Sequence, residues 1–117
     1  MREPDLMKRT KSFSLRVIRL YVAIVKDALS EVLGKQLLRS ATSVGAQYRE
    51  ARRARSRAEF CSKVQCCIQE MEESIYWLEL IAESGVVKPT LLADLQTEAN
   101  ELLAILVASV KTAKRSS

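Results

Sequence analysis

Arg49, Arg52, Arg53, Arg55 and Arg57 fall within nine residues of one another. A guanidinium is planar, permanently charged and presents a fork of donors that fits a phosphate bidentately. Five of them close together suit a polyanion gripped through its backbone. On a helix Arg49, Arg52 and Arg53 share one side, Arg55 and Arg57 fan out around the connection that follows, and Lys63 adds a cation in the next helix. A second basic group, Lys8, Arg9, Lys11, Arg16 and Arg19, reinforces the first if both occupy one face. The competing reading is a solvated helix end whose cations pair with the acidic third helix or with another subunit. Base readout has no support: a helix-turn-helix glycine turn, zinc-finger spacing and paired stacking aromatics are all missing from the sequence.

Other chemistries fare worse. Glu70, Glu72, Glu73, Glu79 and Glu83 crowd one segment, with Glu98 and Glu101 further on, but a di-metal bundle also needs histidines and the sequence has none. The same lack leaves Ser40, Ser43 and the cysteines without an imidazole base, and no phosphate-binding glycine loop accompanies them. Cys61, Cys66 and Cys67 are odd in number and lie within one helical pattern. The adjacent pair points about 100° apart, so the two thiols cannot chelate one ion, and reduced packing residues are the reading adopted. No catalytic residue, metal or cofactor is expected. Glu50, the lone carboxylate in the basic stretch, is expected to pair with Arg53, or with Arg39 or Arg49 across an interface.

Charge is uneven along the chain. Residues 1–60 hold 14 Lys and Arg against 6 Asp and Glu, residues 61–117 hold 5 against 8, and the net charge is +5. Such a field steers an acidic partner towards the basic side, or lets subunits pair. At 117 residues, 48% hydrophobic, with 3 Gly and 2 Pro, the sequence suits one folded, helix-rich domain spanning 1–117. The longest apolar run, Leu102–Val110, contains a serine and is too short to cross a membrane. The first residues lack the apolar segment of a secretory leader, so a cytoplasmic location is expected.

Four apolar patterns of helical period must position these groups. The first covers 12–33, with Phe13, Val17, Leu20, Tyr21, Ile24 and Val25 on one stripe, Ser12 as N-cap and Gly34 as the stop. The second covers 35–55 with a small-residue face at Ala41, Gly45 and Ala46 that predicts close approach of another helix. Ser56 and Glu59 have capping-box spacing and open a third helix over 57–84, which stops at Gly85. Thr90 caps the fourth, over 90–113. The expected fold is all-α, an up-down-up-down four-helix bundle. Leu15, Ile18, Val22, Trp77, Leu80, Ile105 and Val107 fall beside the stripes, a surplus that predicts a homo-oligomer.

The segment from Gln36 to Gly85 resembles the four-helix-bundle family encoded by intervening sequences of bacterial 23S ribosomal RNA genes. Gln36, Arg39, Ser40, Ser43 and Val44 match its Q-x-x-R-[AS]-x-x-S-[IV] pattern, and Glu50, Glu59, Phe60, Glu73 and Leu78 match positions beyond it. Gln47 and Ala51 depart from the family's usual asparagine and glycine. The resemblance marks Gln36, Arg39, Ser43, Gly45, Glu50, Phe60 and Glu73 as the structural motif. It implies a homopentameric ring, no catalytic site and an association with ribosomal RNA. Distant relatives are accessory subunits of reverse transcriptases.

The expected function is therefore non-enzymatic: an oligomeric protein that binds structured RNA, alone or within a ribonucleoprotein, through Arg49, Arg52, Arg53, Arg55, Arg57 and Lys63. The alternative is an adaptor that docks a protein partner such as a reverse transcriptase, without nucleic-acid binding of its own.

Overall fold

The computed structural model describes residues 5–116. Four helices follow one another: α1 (Leu6–Ile24), α2 (Ala28–Arg52), α3 (Arg57–Glu83) and α4 (Ala93–Arg115), with a 3-10 turn at Pro89–Leu91 before the last. Consecutive helices pack antiparallel, α2 against α3 most extensively, which gives the expected up-down-up-down bundle. The first turns of α1 and α3 thus share an end with the last turns of α2 and α4.

The first two helices divide elsewhere than expected. Ser12 lies inside α1, whose N-cap is Asp5, accepting from the Lys8 backbone N–H at 3.1 Å. The chain breaks at Val25–Asp27, not at Gly34. Asp27 accepts from the Ser30 N–H at 2.9 Å, and the Ser30 hydroxyl reaches back to the Asp27 N–H at 3.1 Å. This reciprocal box satisfies the first N–H groups of α2 and makes a glycine stop unnecessary. Helix α2 also ends at Arg52 rather than 55, so Arg53 and Arg55 lie in the turn. The third helix matches its expected range within a residue; Ser56 caps it by accepting from Glu59 N–H at 3.0 Å, and Gly85 follows at φ +81°. At the fourth, Thr90 falls within the 3-10 turn and makes no side-chain cap, because Pro89 has already set the tighter winding.

The core runs through all four helices, with Phe13, Val17, Leu37, Val44, Met71, Leu78, Leu102 and Leu106 sealed from solvent. Each such side chain contributes about 1.5–3 kcal/mol on burial. Buried hydroxyls are satisfied locally or across the α2–α3 seam: Thr10 donates to the Leu6 carbonyl at 2.6 Å, and Ser40 and Ser74 hydrogen-bond each other at 2.8 Å. Thr42 and Ser43 donate to the carbonyls of Leu38 and Arg39, as their position in mid-helix requires.

The α1 backbone closely approaches α2 at Gly45, as the small-residue face predicts, whereas at Gly34 the tight neighbour is a side chain, the Tyr21 ring. A Cβ on Gly34 would stand 2.9 Å from Cδ1 of Tyr21, whereas one on Gly45 would meet the Ser14 hydroxyl and Thr10 carbonyl at an ordinary 3.6 Å. Gly45→Ala is accordingly expected to raise unfolding stability by about 0.5–1 kcal/mol, the helix-propensity gain. Gly34→Ala loses that gain against displacement of the Tyr21 ring and lowers stability. Urea denaturation of the two variants should give opposite signs.

Candidate nucleic-acid interface

The basic residues sort by what they already hold. Arg9 reaches across to α4, its Nε 3.1 Å and Nη2 2.6 Å from the Glu98 carboxylate and its Nη2 also 3.0 Å from Glu101. The hydrogen bond that Arg9 donates to Glu98 raises the guanidinium pKa above its ordinary value, against the opposing effect of burial. Arg39 bridges α2 to α3, 2.7 Å from Glu73 and 3.5 Å from Glu70. Lys63 carries an exposed ion pair: its Nζ lies 2.8 Å from Glu50, whose hydrogen bond and charge raise the ammonium pKa. Glu50 thus pairs across the α2–α3 seam with Lys63 rather than with any of the three arginines expected to hold it.

The arginines that remain stand together. Arg49 and Arg52 close α2, Arg53 is its C-cap, Arg55 lies in the turn and Arg57 opens α3; all five are exposed. Arg55 has the Glu59 carboxylate at 3.9 Å, and its own side chain is 91% exposed. Arg49, Arg52, Arg53 and Arg57 have no ion-pair partner among the described residues. Positive side chains at the C-terminal end of α2 are favoured by the helix dipole, but several within a Debye length repel one another. A bound anion relieves that repulsion.

Antiparallel packing adds α1 to this end. Lys11 and Met7 border the same groove as Arg49, and Met7 also lies beside Arg52 and Arg53. The N-terminal basic group therefore joins the arginine cluster through Lys11, while Arg9 is withdrawn to α4. The up-down order also brings the last turns of α4, with Lys111 and Lys114, to this end. These residues are some forty to sixty positions from the arginines, and their nearness follows only from the pairing of the helices. Among the described residues no group of His, Cys, Asp and Glu is arranged to hold a metal. The cysteines are free; burial pushes the Cys67 thiol up to about 12, which keeps it protonated and inert.

A family profile described as 23S rRNA-intervening sequence protein matches residues 2–108. The chain belongs to the 23S rRNA-intervening sequence protein family. A crystal structure of a protein of unknown function from the S23 ribosomal protein family of Bacteroides thetaiotaomicron superposes with a TM-score of 0.85. The two are 32% identical over 91% of this chain and 98% of the other. Comparison with curated proteins gives no match.

In this member of the 23S rRNA-intervening sequence protein family, several motif residues fasten α2 to α3. Arg39 and Glu73 face each other across the seam and Glu50 holds Lys63, while Ser43 donates within α2 to the Arg39 carbonyl at 2.8 Å. Phe60 packs half-buried against the core, Gly45 floors the groove and Gln36 is exposed. Of the two departures, Gln47 is half-buried and Ala51 is sealed in the core, where its methyl group fills space that glycine would leave.

Proposed function

We propose that this chain is a non-enzymatic, oligomeric cytoplasmic protein that binds structured RNA through the end of the bundle bearing Arg49, Arg52, Arg53, Arg55 and Arg57. The observation that carries this reading is the division of labour among cations. Arg9, Arg39 and Lys63 are committed to carboxylates, while Arg49, Arg52, Arg53 and Arg57 stand exposed without one among the described residues. The family's description, which refers to 23S rRNA, supports RNA as the polyanion. Binding of a structured RNA fragment should fall linearly in log–log coordinates with salt, at a slope of about −3 to −4 for four or five phosphate contacts. Affinity unchanged between low and high salt would refute the reading.

Self-association is part of the same proposal. Leu15, Ile18 and Val22 lie three and four residues apart on α1 and are 40%, 40% and 75% exposed. Leu29 and Val32 at the start of α2 are also exposed, as is Tyr76 on α3 beside Trp77. An uncovered stripe of this kind marks an interface, and the family resemblance implies a ring of five. Sedimentation velocity should give an oligomer for the native chain and a folded monomer for the Ile18→Glu, Val22→Glu double variant. A native chain that sediments as a monomer at high micromolar concentration would remove the oligomer from the proposal.

The same stripe favours a second reading, an adaptor whose apolar face docks a protein partner. Nuclease treatment of the native complex separates the two: a partner retained without RNA supports the adaptor.

A further inference from the structure

A groove between α1 and α2 opens beside the arginines, and phosphate contacts alone make no use of it. Its inner part, about 280 Å³, lies between Thr10, Lys11 and Ser14 of α1 and Thr42, Gly45 and Ala46 of α2. Its outer part, about 390 Å³, lies among Met7, Arg49, Glu50, Arg52 and Arg53. Met7 and Arg49 border both, so the two adjoin as one open groove leading from the charged end towards the middle of the helix pair.

The chemistry changes along that groove. At the mouth, Arg49, Arg52 and Arg53 supply exposed guanidiniums, and Glu50 beside them is held by Lys63 at 2.8 Å. Further in, the floor is apolar and low: Gly45 has no side chain and Ala46 only a methyl group, with the Met7 thioether alongside. The Ser14 proton is spent on the Thr10 or Ala41 carbonyl, each at 3.1 Å, and that of Thr42 on the Leu38 carbonyl at 2.8 Å. Both hydroxyl oxygens keep acceptor capacity for an incoming N–H. Lys11 on the far wall supplies a donor.

A cationic mouth, an apolar floor and acceptors at its edge match the parts of a nucleotide: phosphate, ring face and ring edge. The inner volume is at the lower limit of small-ligand sites, roughly 300 Å³, so it takes one ring and not a stacked duplex. Paired bases are turned inward and inaccessible in A-form RNA, whereas unpaired ones can be splayed out onto protein. We infer that the α1–α2 groove seats an unpaired base of an RNA loop or single strand, its flanking phosphates held by Arg49, Arg52 and Arg53. This rests on the RNA-binding reading and deepens it: the arginines give affinity, and the groove selects unpaired over paired strand.

The experiment compares a short oligouridylate with an oligonucleotide of the same length and backbone lacking bases, by fluorescence anisotropy at low salt. The native chain should bind the base-bearing strand roughly tenfold more tightly, the order expected when one ring face is buried on apolar surface. Ala46→Leu fills the inner groove from an exposed helix position, and Met7→Ala removes one wall; each should bring the ratio of affinities towards one. A native ratio of one, with steep salt dependence, overturns the groove and leaves the phosphate contacts standing. Failure of either strand and of structured RNA to bind at low salt overturns both. A ratio that survives Ala46→Leu places the base elsewhere and overturns the inference. So does a polyglutamate peptide that binds more tightly than either strand and is blocked by Ala46→Leu, since the occupant is then a protein.

Discussion

Reversing Arg52 and Arg53 to glutamate together is expected to weaken binding of structured RNA at least about a hundredfold near 0.1 M salt, and to flatten the salt dependence. The double change removes two phosphate contacts and sets two negative charges beside Arg49, Arg55 and Arg57. Neither side chain makes an ion pair among the described residues, so nothing in the fold is broken directly. Carboxylates at the carbonyl end of α2 oppose its dipole at about 0.3–1 kcal/mol each, a cost the thermal midpoint will register as a small decrease. The decisive control is a reversal of equal total charge at the opposite end. Lys26 precedes α2 and Lys88 precedes the 3-10 turn, both exposed. If binding depends on a local site, Lys26→Glu with Lys88→Glu should leave affinity within about threefold, after screening over more than a Debye length. Equal losses from both pairs would mean that net charge alone attracts the RNA, and that the arginine end is no interface.

The cluster that this variant targets is legible in the sequence because five arginines in nine residues need no structure to be noticed. What each cation holds is not legible there. By spacing Lys63 reads as a sixth contact, yet it is held by Glu50; Arg39 reads as a partner for Glu50 and holds Glu70 and Glu73 instead. These pairings follow from the register of α2 on α3, which depends on how the core packs as a whole rather than on local spacing. The helices themselves divide in the same manner. Helices α3 and α4 are readable from a long apolar period, with Ser56 and Gly85 marking the boundaries of the third. The α1–α2 break escapes such a reading because Gly34 is a stronger stop signal than Asp27-Ala-Leu-Ser30, although the latter is what the chain uses. Gly34 instead answers a tertiary demand, the Tyr21 ring lying against α2. The groove is out of reach for a related reason. Its walls come from residues about thirty to forty positions apart, and only a break at Val25–Asp27 brings Met7 and Lys11 opposite Ala46 and Arg49.

Two substitutions on one helix distinguish the stripe that α1 buries from the one it leaves uncovered. Phe13 is fully sealed, so Phe13→Ala removes a ring from a close-packed site and leaves a cavity that the bundle fills only in part. The expected loss is about 3–5 kcal/mol, a large share of the 5–15 kcal/mol typical of a folded chain of this size. It should be present at every protein concentration, because the ring packs wholly inside its own chain. Leu15, two residues on, points to the other side and is 40% exposed. Truncating it costs an isolated bundle little, within about 0.5 kcal/mol. If copies of the chain cover this stripe, however, Leu15→Ala weakens their association, and its effect on the thermal midpoint grows where the native chain is assembled and vanishes on dilution. A concentration-dependent penalty at Leu15 beside a constant one at Phe13 would assign one face of α1 to the core and the other to assembly. Constant penalties at both would leave the outer stripe without a role in self-association.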